Sequence, residues 1–233
     1  MTTYGLLVFD DAEELDFVGP WEVFTASAMV RDQGDGAAPA DKAVPADRAV
    51  PADKAVPADR AVPADKAVLL AERSGPVRCA KGMRVLPDHT LDDHPELDVL
   101  LVPGGRGARE TQPSNSVVTG WIARTAERTG WVTSVCTGAF LLHAAGVAKG
   151  RRVATHWASE DALESLGGVT VVRDARYVVD GNLVTSQGVS AGIDMALWLI
   201  GRLHGRDHAR AVRRYIQYEP APPYLADEPG ISG

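Results

Sequence analysis

Residues 132–142, VTSVCTGAFLL, set a run rich in β-branched residues directly before Cys136, followed by Thr137, Gly138 and a helix-forming stretch. A short apolar run that ends on small residues and passes at once into a helical pattern predicts a buried strand turning sharply into a helix. The same grammar recurs upstream. Residues 97–102 (LDVLLV) read as an apolar strand stopping at Pro103-Gly104-Gly105, and residues 114–129 carry an amphipathic helical pattern. Nearer the start, residues 4–9 read as a strand and Gly19-Pro20 opens a helical WEVFTASAMV, since proline suits the first turn of a helix. Residues 67–71 give a second strand, residues 77–86 a hairpin around Lys81-Gly82, and residues 172–186 strand-like sequence with a turn at Asp180-Gly181. Helical patterns cover 191–203 and 207–218. Strands alternating with helices predict an α/β fold with a mostly parallel sheet covered by helices on both faces.

A chain of 233 residues with 45% hydrophobic and 24% charged residues has enough apolar material for one globular domain. Its formal net charge of -7 gives no electrostatic footprint for nucleic acid. The opening MTTYGLLVFDDAEELDF has no basic flank and its apolar run is broken by Asp10 and Asp11, so it reads as a strand and not as a signal peptide. No apolar run is long enough for a membrane span, and two cysteines make at most one disulfide in a domain that needs none. These features predict a cytoplasmic protein.

Residues 39–68 repeat PADKAV and PADRAV in five units of six. Proline at every sixth position blocks a continuous helix or a central strand, and the units have little bulk to bury. The repeat therefore reads as an extended surface insertion within a single domain spanning 1–233.

Parallel α/β sheets bind ligands at the carboxyl ends of their strands, which is where the turn after residues 131–135 lifts Cys136. The helix start at Thr137 and Gly138 is expected to lower the thiol pKa and favour the thiolate. Gly104 and Gly105, at the end of another strand, offer N–H groups that with that of Thr137 could form an anion hole. Asp16 follows the first strand and is the candidate acid or base, with Glu13 and Glu14 as solvated rivals. His156, in the segment ATHWA, is a candidate base or substrate-binding group; Cys79 lies in the predicted hairpin, away from the sheet's carboxyl edge, as a structural residue. Asp194 is explained by its place in a helix first turn. The remaining His, Cys and acidic residues lack metal-ligand spacing.

Taken together, LDFVGPWEVF (15–24), LLVPGGRG (100–107), VTSVCTGAFLLHAAGVAKGRRVATHWA (132–158), VVDGNLVTSQGVSAGIDMALWL (178–199) and YIQYEPAPPY (215–224) make the chain resemble the DJ-1/PfpI superfamily, in its isonitrile hydratase branch. The resemblance implies a flavodoxin-like sheet, Cys136 as nucleophile at an elbow, Asp16 as the proton-transfer group and Thr137 as an accessory hydrogen-bonding residue. It also implies a homodimer acting on a small isonitrile, chemistry that requires no metal or organic cofactor, while the acidic charge and the lack of a long apolar run predict no nucleic-acid or membrane partner. Protease-like and glyoxalase-like members commonly have His after the cysteine, where this chain has Thr137. Two rival readings remain at this level. One is a ligand-sensing module like the amino-terminal domains of AraC-type regulators; the other is a redox sensor built on an exposed thiolate.

Overall fold

The computed structural model describes residues 1–32 and 65–220. Eleven strands are present among them: β1 (Thr3–Leu7), β2 (Lys66–Ala71), β3 (Val77–Arg78), β4 (Arg84–Val85), β5 (His89–Thr90), β6 (Val99–Val102), β7 (Trp131–Val135), β8 (Arg152–Val153), β9 (Thr170–Val171), β10 (Tyr177–Asp180) and β11 (Leu183–Ser186). The helices are α1 (Glu14–Asp32), α2 (Arg106–Glu110), α3 (Ser116–Ala126), α4 (Gly138–Ala144), α5 (Glu160–Ser165), α6 (Ala191–His204) and α7 (Arg206–Tyr215).

The main sheet runs β10-β11-β7-β6-β1-β2-β5, with only the β10–β11 pair antiparallel. β1 and β6 are buried along their whole lengths and β7 nearly so, which is why they read as unbroken apolar runs rather than alternating ones. Helices α1, α6 and α7 pack on one another, as do α2, α3 and α4 in a separate group. The order β2-β1-β6-β7-β11 is that of a doubly wound, flavodoxin-like sheet, whose chain direction of winding reverses between β1 and β6. The loops leaving the carboxyl ends of those two strands meet there: the Glu13 N–H donates to the Gly104 carbonyl at 2.9 Å, the Gly107 N–H donates to the Asp11 carbonyl at 3.2 Å, and Ala12 bridges Gly105.

Two local expectations are corrected. Helix α1 begins at Glu14 and not at Gly19, so Pro20 lies inside the helix and Asp16 in its first turn. Proline removes one helical N–H, yet the turn before it is held from outside, by the Glu13 N–H on the Gly104 carbonyl at 2.9 Å and by the Lys81 N–H on Glu14 Oε1 at 2.6 Å. The other concerns the repeat, whose residues 39–64 lie outside the described residues. Its last unit is not surface insertion throughout: Lys66, Ala67 and Val68 pair with Thr3, Tyr4 and Gly5, and Asp65 is buried. Leu69, Leu70 and Ala71 continue this unit into the core, giving the final copy a strand to extend.

Candidate active site

Cys136 follows the last residue of β7 with φ 57, in the left-handed region that costs a non-glycine residue about 1–2 kcal/mol. Its backbone is fixed from both sides. The N–H donates to the Ser186 carbonyl at 3.1 Å, and the buried Thr155 hydroxyl donates to the Cys136 carbonyl at 2.9 Å. This is a strand-to-helix elbow whose side chain is 6% exposed.

Asp16, from the first turn of α1, is fully buried and reaches the same point. Its Oδ2 accepts the Gly104 N–H at 2.9 Å, while Oδ1 is buried with no hydrogen-bond partner. Burial pushes this carboxyl up to about 8; the Gly104 hydrogen bond opposes that rise, Glu13 adds to it, and Cys136 and Lys81 oppose it. A carboxyl that is neutral near pH 7 keeps a proton to give. Gly104 has to be glycine for this approach, because a Cβ there would lie 2.5 Å from the Thr137 nitrogen, 2.6 Å from Thr137 Oγ1 and 2.8 Å from Asp16 Oδ2.

The structure thus brings Cys136, Asp16, Thr137, Gly104 and Gly105 together, but it changes three of the chemical expectations. The thiol is pushed up to about 12, first by burial and then by the Asp16 charge, against hydrogen bonds from Thr137 that favour the thiolate. A seven-residue helix start cannot outweigh desolvation plus a neighbouring acid. The anion hole from the glycine loop is also absent in this arrangement: the Gly104 N–H is taken by Asp16, and the Gly105 N–H donates to Thr137 Oγ1 at 2.9 Å. Buried donors require partners, and side chains meet the need here. Glu14, expected to be solvated, is buried, and Glu13 is largely covered and ion-paired with Lys81.

His156 takes the Ala158 N–H on Nδ1 at 3.2 Å, which leaves the proton on Nε2. Its ring and the Cys136 sulfur flank Gly188: a Cβ there would lie 2.3 Å from His156 Cδ2 and 3.2 Å from Sγ. No hydrogen bond joins this ring to the thiol among the described residues. Gly188 was not singled out from the sequence, and neither was Thr155, although Thr155 stands inside the THWA segment. Cys79 is a free, buried thiol raised to about 11 by burial and by Glu14, Asp10 and Glu13. It is not remote from the carboxyl edge, since its neighbours Arg78 and Ala80 bond to Asp11 and Ala12 just after β1. Asp194 does sit in the first turn of α6, and it is also held by Arg176 at 2.8 Å. Among the described residues no cluster of three or more His, Cys, Asp or Glu side chains is arranged to hold a metal, and no helix is long and apolar enough to cross a membrane.

A model of the DJ-1/PfpI family matches residues 42–202. An isonitrile hydratase from Pseudomonas putida is 43% identical over 154 residues, covering 66% of each chain. The HTH-type transcriptional regulator GbdR of Pseudomonas aeruginosa is 30% identical over 143 residues, 61% of this chain and 38% of that one. The chain therefore spans about two thirds of the first relative and well under half of the second. Among solved structures, a THiJ/PfpI family protein from Pseudomonas syringae superposes with a TM-score of 0.76 at 27% identity, covering 97% of this chain and 79% of that one.

Proposed function

Since the chain belongs to the DJ-1/PfpI family, we propose that it is an isonitrile hydratase, adding water to an isonitrile to give an N-substituted formamide. The observation that carries this reading is the Asp16–Cys136 pair: a fully buried carboxyl with one free oxygen, beside a thiol raised on a strained elbow. The isonitrile carbon becomes electrophilic once protonated, so it calls for an acid and a sulfur nucleophile at the same place. The 43% identity to an isonitrile hydratase supports the choice of substrate class.

The reacting form is the pair holding one proton, which passes from the more basic Cys136 thiol to the Asp16 carboxylate as the substrate enters. Asp16 gives that proton to the isonitrile carbon as the Cys136 thiolate bonds to the same atom, forming the thioimidate R–N=CH–S–Cys136. The Asp16 carboxylate then takes a proton from water while the hydroxide adds to the imidate carbon. Asp16 passes that proton to nitrogen, recovers one from the new hydroxyl, and the C–S bond breaks to release R–NH–CHO and the thiolate. Thr137 steadies the thiolate by hydrogen bonding; Gly104 and Gly105 seat Asp16 and Thr137; and His156 has its Nε2–H to offer to the tetrahedral oxygen. The substrate is a small molecule, and the assembly is a homodimer.

The test is formamide formation from a simple alkyl isonitrile, followed by chromatography for the wild type, Cys136→Ala and Asp16→Asn. Turnover by the wild type that both substitutions abolish supports the reading, whereas folded wild type inert towards several isonitriles sinks it. The likeness to GbdR favours a second reading, a ligand-sensing module. That one expects saturable isonitrile binding with no product.

A further inference from the structure

The β3–β4 hairpin lies along the loop that joins β1 to α1. The Arg78 N–H donates to Asp10 Oδ1 at 2.8 Å, the Asp11 N–H to the Arg78 carbonyl at 2.8 Å, and the Ala80 N–H to the Ala12 carbonyl at 2.9 Å. At the tip, the Lys81 N–H donates to the buried Glu14 carboxylate at 2.6 Å and the Lys81 ammonium is ion-paired with Glu13. Glu13 and Glu14 lie within three residues of Asp16, so these hydrogen bonds and the ion pair all fall on the segment that leads into the candidate acid.

We propose that this hairpin, through Lys81, is a positioning element for the Asp16–Cys136 pair: it anchors the first turn of α1 and sets one positive against one negative charge beside the carboxyl, and so governs the pH at which the pair gives up its first proton. The inference rests on reading Asp16 and Cys136 as the reactive pair. The groups around Asp16 come from several elements. Glu13 from its own segment opposes ionisation, Lys81 from the hairpin favours it, and the Cys136 thiol from the elbow and the Gly104 N–H from the loop after β6 also favour it. The Lys81 side chain is 69% exposed and its backbone N–H makes the bond to Glu14, so replacing the side chain removes the charge and leaves the clamp.

The experiment reads the pair without any isonitrile. Alkylation of Cys136 by iodoacetamide is followed from about pH 6 to about pH 10, spanning the range where a perturbed carboxyl–thiol pair titrates. Peptide-resolved mass spectrometry keeps Cys79 out of the count. Lys81→Gln should move the midpoint up and Glu13→Gln should move it down, each by on the order of half a pH unit, as expected for a partly solvated charge. Lys81→Arg should restore the wild-type midpoint, and both shifts should shrink in about 1 M salt. Midpoints that coincide, or that move the same way in Lys81→Gln and Glu13→Gln, would overturn the proposal. Moving midpoints in a protein that makes no formamide would leave this inference standing and remove the hydratase reading alone.

Discussion

Two aspartates are buried among the described residues, and they are treated in opposite ways. Asp65, at the amino-terminal end of β2, has both oxygens engaged: Oδ1 takes the Thr2 N–H at 2.8 Å, Arg31 spans both oxygens at 3.1 and 3.0 Å, and His204 approaches Oδ2 at 2.8 Å. Asp16, at the carboxyl end of the sheet, has one backbone donor, no ion pair among the described residues, one oxygen that no backbone or charged group meets, and the Cys136 thiol as the side-chain neighbour that favours its charge. A buried carboxylate surrounded by donors and cations is a structural fastening, because its charge is compensated where it stands. A buried carboxyl left half-satisfied is held away from its preferred ionisation state, and that is the condition a proton-transfer group needs. The difference teaches that burial alone does not separate structural from reactive carboxyls; the count of partners does.

Substituting the two aspartates in turn is the sharpest way to break this comparison. Asp16→Asn and Cys136→Ala should each lower isonitrile turnover by ~1000-fold or more. Asp65→Asn should leave turnover per folded molecule within about twofold, since it lies at the other end of the sheet and touches no group of the pair. Steady-state assays on protein quantified by folded fraction decide the point. Gly104→Ala comes next. Its new Cβ would displace Thr137 and the Asp16 carboxyl together, so turnover should fall by about 100-fold while the protein stays folded by circular dichroism.

Stability should sort the aspartates the other way. Asp65→Ala leaves Arg31 and His204 facing each other without their anion and should cost about 2 kcal/mol, read as a lower urea midpoint at unchanged slope. The slowest change to read is a pH slope. Asp16 is raised from 3.8 to about 8 in the folded protein, so between those values the native state holds a proton that the unfolded chain has lost. Stability therefore declines as pH rises through that window, by at most about 1.4 kcal/mol per pH unit. Asp16→Asn should flatten the decline, and an unchanged slope in urea titrations at several pH values would show Asp16 to be ionised throughout.

The elements legible in the sequence were those made by local pattern. The apolar runs of β1, β6 and β7 and the Cys136-Thr137-Gly138 turn announce a parallel sheet and its elbow, because full burial and a tight strand-to-helix turn each demand specific residue types. What could not be read depends on which distant group meets which. Gly104 and Gly105 looked like free donors, and only the fold reveals that Asp16 and Thr137 already occupy them. Pro20 suggested a helix start, yet contacts from Gly104 and Lys81 brace the turn before it. The helix-start argument for a lowered thiol pKa was sound in sign but small beside burial next to an acid. Asp65 was invisible for a different reason: it is one of five copies of the same residue in the repeat, and only its copy is followed by the Leu69-Leu70-Ala71 that seats it.

The most direct test of the Asp16–Cys136 account is the mass of Cys136 during turnover. Wild-type protein is mixed with excess alkyl isonitrile near pH 8, quenched in acid within the first turnovers, digested, and the Cys136 peptide weighed. The account predicts a peptide heavier by the mass of one isonitrile, decaying as substrate is consumed and missing from Asp16→Asn. Formamide accumulating at full rate with an unmodified Cys136 peptide, or in Cys136→Ala, would contradict it.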